Sequence, residues 1–383
     1  MGKKIGIGMI GTGFMCKAHS NAYKTIPYMF QPEYEITLSE VSARSAESSA
    51  FGKKRYGYAK SSTGWEEIVK NPDVTVVDVC TSDSKHFDPV MEALKNGKHV
   101  LCEKPLALSG SEAAKMLLAA KKAGIVHATT FNYRFLPPVR LAYEMIQKGL
   151  LGEIYHIYAH YFQEGGANQN QNAENTWYAG SGILQGIGTH VIDQVRFLVG
   201  EIATVTGLAC INVKQRPSKN GGVKTMNMED SSRALVEFEN GATGIIECSA
   251  VAWGRLNQLY WEIHGSKGSV RFDLEEPSYL NVFLSEWSKN STSGFMKVNV
   301  NQANHPFSDI WWPGGHNNGW EHGHINLIAH VLSCIDKGKD ISPLAATFDD
   351  GFKAAAMVDA IRLSSKNCER IDFKKFSDTL LKL

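Results

Sequence analysis

A chain of 383 residues, 43% hydrophobic and 21% charged, has the composition of a soluble globule and exceeds the usual size of one core, so two domains are expected. The formal charge of +1 gives no electrostatic case for nucleic acid or an anionic membrane surface. No apolar stretch approaches the roughly 20 residues that a membrane-spanning helix requires.

The opening Met1-Gly2-Lys3-Lys4 runs straight into a strand pattern and lacks the apolar region of a secretion signal. Gly at position 6 argues against myristoylation of Gly2. Seven cysteines (Cys16, Cys80, Cys102, Cys210, Cys248, Cys334, Cys368) are widely spaced with no CxxC. They read as small buried thiols in a reducing compartment, so a cytoplasmic protein is expected. Asn290-Ser291-Thr292 is then a chance sequon.

Residues 4–10 form an apolar strand ending in Gly11-Thr12-Gly13, and a helix is predicted over 14–24. A strand at 36–42 and a helix at 45–55 follow. The β-branched run 73–80 has the pattern of a buried parallel strand. A helix over 86–96 closes at Gly97, a strand covers 99–102, a helix over 109–123 closes at Gly124, and 125–129 is a further strand. This alternation predicts a doubly wound parallel sheet over 1–130, with ligands at the carboxyl ends of its strands.

Beyond 130 the rhythm changes. A helix at 137–148, a strand at 153–162 and a polar loop at 163–175 lead to a helix at 189–198. Strand-like runs at 203–213, 231–240, 243–251, 258–264 and 268–273, with a hairpin signal at Asn240-Gly241, predict an antiparallel or mixed sheet. Residues 285–320 read as irregular, and helices at 321–336 and 349–365 close the chain.

Gly11-Thr12-Gly13-Phe14-Met15-Cys16 is a GxGxxG variant in the right context, after a strand and opening a helix. Its glycines allow a tight turn and close approach of a pyrophosphate, whose charge the helix N-terminus favours. At the end of the second strand, where an acid reads the ribose of NAD, the chain has Ser42-Ala43-Arg44. Serine followed by arginine leans toward the 2′-phosphate of NADP, although a register shift would bring Glu40 into play.

Cys102-Glu103-Lys104-Pro105 ends a core strand and offers Lys104 to a nicotinamide and a substrate hydroxyl. The glycine-rich 180–188 segment leads to Thr189-His190, where an imidazole has the right pKa to take an alcohol proton. Asp193 either orients it or caps the fold. Tyr161, Trp177, Tyr178, Asn132, Tyr133, Arg134, Trp311 and Trp312 suit sugar recognition. His316, His322, His324 and His330 lack metal-ligand spacing, so no metal is expected.

GTGFMCKAHS at 11–20, CEKP at 102–105, FNYR at 131–134, GTHVIDQVRFLVG at 188–200 and EDSSRALVEFENG at 229–241 together resemble the glucose–fructose oxidoreductase / inositol dehydrogenase / rhizopine catabolism family, called Gfo/Idh/MocA. The resemblance covers essentially the whole chain, and its opening is similar to the levoglucosan and glycoside 3-dehydrogenase branch. It implies a Rossmann domain (1–130) and an α+β domain (131–383) with a large, mostly antiparallel open sheet, the C-terminal helices returning to the first domain. The implied activity is hydride transfer between NAD(P) and a secondary hydroxyl of a sugar, cyclitol or glycoside. The alternatives are a glycosidase using transient oxidation and a non-catalytic sugar sensor.

The resemblance further implies Lys104 and His190 as the catalytic pair. Cofactor contacts are expected from Gly11, Thr12, Gly13, Phe14, Met15, Ser42, Arg44, Thr81, His86, Glu103, Lys104 and Asn132. Substrate contacts are expected from Lys104, Arg134, Trp177, Tyr178, Gln185 and His190, and the assembly is expected to be a homodimer or homotetramer. One departure stands out: the family has Asp four residues before this histidine, and here that position is Gly186. Gln185 is adjacent but needs a shifted turn to replace the acid.

Overall fold

A computed structural model describes residues 3–176, 178–289 and 293–382, and divides the chain into two compact units. Residues up to Leu136 together with Gly319–Ala355 make the first; Pro137–Asn318 with Ala356–Lys382 make the second.

The first unit holds a six-stranded sheet in the order β3-β2-β1-β4-β5-β6. Its strands are β1 (Lys4–Ile10), β2 (Glu35–Ser42), β3 (Lys60–Ser62), β4 (Val76–Val79), β5 (His99–Cys102) and β6 (His127–Thr129), all parallel. Every residue of β4 is buried, so its valines show no polar alternation, and Asp78 is a buried acid among them. Between the strands run α1 (Phe14–Met29), α2 (Ala46–Tyr56), α3 (Trp65–Lys70), α4 (Phe87–Lys95) and α5 (Gly110–Ala123). Ser45 and Ser109 cap α2 and α5 by accepting the amides of Ser48 and Glu112, and Gly124 stops α5 in the left-handed region at φ +65°.

The 319–355 segment is tied into this unit. The amide of Thr129 donates to Ala346 O at 2.9 Å, and Phe348 N donates to His127 Nδ1 at 3.1 Å.

The second unit begins with α6 (Pro137–Gln147) and β7 (Ile154–Phe162), and after a long loop continues with α7 (Thr189–Val199). There follow β8 (Ile202–Cys210), β9 (Gln215–Pro217), β10 (Val223–Thr225), β11 (Ser231–Phe238), β12 (Thr243–Ser249), β13 (Gln258–Gly265), β14 (Gly268–Asp273), β15 (Tyr279–Leu284) and β16 (Met296–Asn299). In the first unit lies α8 (Trp320–Lys337); α9 (Phe348–Asn367), β17 (Ile371–Asp372) and α10 (Phe373–Leu380) end the chain.

Nine strands form one sheet in the order β16-β15-β14-β13-β7-β12-β11-β8-β17, with β7 and β12 parallel and the other neighbours antiparallel. From Ser232 onward the burial along β11 alternates: Ala234, Val236 and Phe238 point inward, while Arg233, Leu235 and Glu237 face out. Helices α6 and α7 pack on strands of this sheet. The exposed side chains of the sheet include Leu208, Leu235 and Ile245.

Several elements depart from expectation for local reasons. The 203–213 run stops as a strand at Cys210, because the Asp230 carboxylate accepts the amides of Asn212 and Val213 and turns the chain. The 73–80 run is strand only over Val76–Val79. Within the stretch read as irregular, β16 pairs with β15. The short β3, α3, β9–β10 hairpin, β17 and α10 had no periodic signal long enough to announce them.

Candidate functional site

In the first unit the expected cofactor residues follow the carboxyl ends of β1, β2, β4, β5 and β6. Gly11 has φ +108°, and a β-carbon there would lie 2.6 Å from the carbonyl oxygen of Cys80. Only glycine fits that close approach of the turn to the end of β4. Gly13 differs: a β-carbon would meet nothing within 4 Å. It is the N-cap of α1, with no side-chain cap and no acid in the first turn. The amides at Phe14 and Met15 thus open an uncapped helix N-terminus beside free space, the arrangement that takes a pyrophosphate. Thr12 packs its methyl against Gly52 of α2. Cys16, in place of the third glycine, is fully buried, and burial raises its thiol to about 12.

Ser42 ends β2, buried, with its carbonyl accepting Gly11 N at 2.9 Å. Arg44 is exposed just beyond. Glu40 does not replace the missing acid: it is 5% exposed and its Oε2 accepts Asn71 Nδ2 at 2.7 Å. Phe14 is exposed on one face and stacks on Trp320, ring centroids 5.4 Å apart.

Thr81 follows β4, its hydroxyl buried without a hydrogen bond to any described residue. His86 is buried and bridges two loops, Nδ1 lying 2.9 Å from Pro105 O and Nε2 3.2 Å from Thr81 O. Asn132 begins the turn after β6, buried, its main-chain carbonyl so close to Gly323 that a β-carbon there would be 2.8 Å away. Arg134 is buried and paired with Asp350 at 3.0 Å, and also donates to Pro343 O. The structure therefore gives Arg134 and His86 structural work inside the first unit.

Lys104 follows β5. Burial pulls its ammonium below the usual lysine range, against the opposing pull of Glu103 and Asp83. Glu103 is buried behind it, and here the structure shows what sequence reading missed. His19 of α1 lies between Asp78 and Glu103, with Nδ1 2.8 Å from Asp78 Oδ2 and Nε2 3.0 Å from Glu103 Oε1. Thr130 donates to Glu103 Oε1 at 2.6 Å, and Lys104 N donates to Oε2 at 3.1 Å. Burial alone would push His19 down, but Asp78 and Glu103 carry it up to about 10. Burial would likewise raise Glu103, yet His19 holds it at about 2. An acid, Asp78, within the β-branched 73–80 run, with His19 and Glu103 in the GTGFMCKAHS and CEKP motifs, was the available signal.

His324 also belongs here, its ring centroid 5.3 Å from that of His19. Burial and the neighbouring His19 charge lower it to about 3. Among the described residues, ligand atoms of His19, Glu103 and His324 lie within 4.8 Å of one another, as do those of His19, Asp78 and Cys80.

In the second unit, the segment LQGIG at Leu184–Gly188 forms a π-helical turn that runs directly into α7. His190 lies in the first turn of α7, 5% exposed, with its ring 6.0 Å from that of Tyr161. Gln185 is fully buried and its carbonyl accepts the Thr189 hydroxyl at 3.0 Å. The entry to the turn is pinned by Glu229, which pairs with Arg362 at 2.7 Å, while its carbonyl accepts Ile183 N. Gly182, at φ +82°, has no room for a β-carbon, which would stand 2.1 Å from the Glu229 carboxylate.

Tyr178 is 1% exposed; its hydroxyl lies 3.1 Å from Arg216 Nη2, which also donates to Gly166 O, so Arg216 fastens the polar loop. Trp177 and the 290–292 sequon lie outside the described residues. Asp193 is buried on α7. Of the other histidines, His316 Nδ1 and His330 Nε2 face the carbonyls of Pro313 and Ile341, and His322 Nδ1 accepts Gly319 N.

The glycine turn, uncapped helix and serial parallel strands define a dinucleotide-binding domain of the Rossmann type. Residues 5–131 match the oxidoreductase family with an NAD-binding Rossmann fold, and residues 139–271 match the Gfo/Idh/MocA C-terminal domain. The chain belongs to the Gfo/Idh/MocA family. It is 34% identical to the levoglucosan dehydrogenase of Pseudarthrobacter phenanthrenivorans, over 98% of this chain and 100% of that protein. A solved levoglucosan dehydrogenase in complex with NADH and levoglucosan superimposes with a TM-score of 0.91 at 33% identity, covering 97% of this chain and 99% of the other. The D-glucoside 3-dehydrogenase of Escherichia coli is 29% identical over 63% of this chain and 69% of its own length.

Proposed function

We propose that the protein is a dehydrogenase that moves hydride between a secondary hydroxyl of an anhydrosugar, glycoside or related polyol and a nicotinamide. The observation that carries this is Lys104: a lysine just after β5, its ammonium destabilised by burial, in the sheet whose Gly11–Gly13 turn is assigned to the cofactor. His190 is assigned the base that accepts the hydroxyl proton, and Lys104 the cation that polarises that oxygen. The bound nicotinamide supplies the hydride acceptor. Gln185, Tyr178 and Trp177 are assigned to the substrate side, with Gln185 offering an amide where the family has an acid at position 186.

The dinucleotide is assigned as NADP or NAD, with Arg44 beside Ser42 favouring the 2′-phosphate. The exposed apolar residues of the nine-stranded sheet, Leu208, Leu235 and Ile245, are assigned to self-association as a dimer or tetramer. All seven cysteines are unpaired, which supports a cytoplasmic setting, and among the described residues no helix is long and apolar enough to cross a membrane.

The test is nicotinamide absorbance with NAD⁺ and NADP⁺ separately, across anhydrosugars, simple glycosides, aldoses and inositols, with sugar release assayed in parallel. Net reduction supports the reading. Sugar release without reduction points to a glycosidase, and dinucleotide binding without turnover to a sensor.

A further inference from the structure

We propose that His19 is a positioning residue for Lys104: an imidazolium that binds Asp78 and Glu103 at once and, through Glu103, fixes the main chain from which the lysine projects. The inference rests on the reading of Lys104 as catalytic.

The geometry leaves little freedom. His19, Asp78 and Glu103 are each 3% exposed or less. Both ring nitrogens of His19 face carboxylates, at 2.8 Å and 3.0 Å. A neutral imidazole has one N–H, so one nitrogen would present a lone pair to a carboxylate oxygen. With both nitrogens protonated, each donates a charge-assisted hydrogen bond.

Glu103 passes this order on. Its Oε1 accepts from His19 and Thr130, which fixes the carboxylate plane and aims Oε2 at the amide of Lys104, 3.1 Å away. Asp78 is held further by Tyr23, whose hydroxyl donates at 2.7 Å to Oδ2, the oxygen that His19 also meets. Cys80 lies against both His19 and Asp78. His324 completes the wall as a neutral ring, and no described residue hydrogen-bonds either of its nitrogens. The result is a path from β4 through His19 of α1 to the residue after β5, built from buried groups that reach neither solvent nor, on this reading, substrate.

The same donors at the same spacing pose a competing account, a divalent ion held by His19, Glu103 and His324. The hydrogen-bonded carboxylates on both His19 nitrogens favour the proton.

The experiment uses the full chain with dinucleotide bound. Nitrogen NMR on histidine-labelled protein at pH 8 is expected to show both ring nitrogens of His19 protonated, assigned by loss of the signal in His19→Asn, and unchanged by chelator. In parallel, His19→Asn and Glu103→Gln are expected to lower kcat by roughly tenfold or more while cofactor Kd and substrate KM change by less than about threefold, the mark of a group acting on the reacting geometry. Lys104→Ala is measured alongside. If that variant turns over normally, the catalytic reading of Lys104 fails and this inference with it. If it is inactive while His19→Asn and Glu103→Gln keep wild-type kcat, the catalytic reading survives and the positioning inference is overturned. Where a variant fails to fold, the NMR decides: a neutral His19 ring at pH 8 overturns the inference. So does a stoichiometric divalent ion that is lost in His324→Ala.

Discussion

Gly11 meets the carbonyl of Cys80 so closely that a β-carbon would stand 2.6 Å from its oxygen, whereas Gly13 two residues on faces open space. The two glycines therefore sit under different constraints, one imposed by the fold and one beside open space. Gly11→Ala is expected to lower stability by about 1–3 kcal/mol through backbone strain and clash, read by denaturant unfolding without cofactor. Gly13→Ala is expected to leave that stability within about 0.5 kcal/mol and to weaken dinucleotide binding by roughly tenfold or more, read by fluorescence titration. Equal affinity in Gly13→Ala would mean that the pyrophosphate does not use this space.

Cofactor choice turns on the end of β2. With Glu40 committed to Asn71, the carboxyl end of β2 has no other carboxylate to reject a 2′-phosphate. Arg44→Ala is expected to raise KM for NADP⁺ by about tenfold, one charge-assisted contact, with KM for NAD⁺ nearly unchanged. Ser42→Asp should shift preference toward NAD⁺. Unchanged KM ratios in both variants would remove Arg44 from the site.

The His19 pair gives stability a pH signature. The folded pKa of His19 is raised from 6.5 to about 10, so its contribution is whole below about pH 6.5 and is lost as pH rises through about 10. Glu103 is lowered from 4.5 to about 2, so its contribution is present above about pH 4.5 and is lost as pH falls through about 2. Unfolding free energy should fall on the alkaline side by an amount on the order of a few kcal/mol. Urea titrations from pH 6 to 10 should show this fall in the wild type and a flatter curve in His19→Asn. Parallel curves would exclude a charged His19.

Glu229 and Arg362 govern the approach to His190 from within the second unit. Breaking their pair with Glu229→Gln leaves Arg362 and the Gly182 turn without their charged partner. Because Arg362 is about a quarter exposed, the expected cost is about 2–3 kcal/mol, below that of a fully buried pair. Thermal unfolding checks this, and kcat should fall with it if the turn positions His190.

The alternation of strands and helices to residue 130 was legible because β1 and β4 are buried on both faces and α5 carries its serine and glycine stops in sequence. The end of β8 was not, since it depends on Asp230, twenty residues beyond Cys210. The glycine turn, Lys104 and His190 could be named from local motifs and resemblance. His19 could not: its meaning comes from Asp78 and Glu103, brought to it by sheet order. Likewise, the carboxylate that makes Gly182 obligatory belongs to Glu229, which no local pattern links to it.

The central claim is hydride transfer dependent on Lys104 and His190. Its most direct test is nicotinamide absorbance under saturating dinucleotide, with the best substrate of the polyol panel, for the wild type, Lys104→Ala and His190→Ala. Net reduction by the wild type is expected, with kcat lowered by roughly 100-fold or more in each variant while cofactor Kd stays within about threefold. Wild-type kcat in either variant, or binding without reduction across the whole panel, would contradict it.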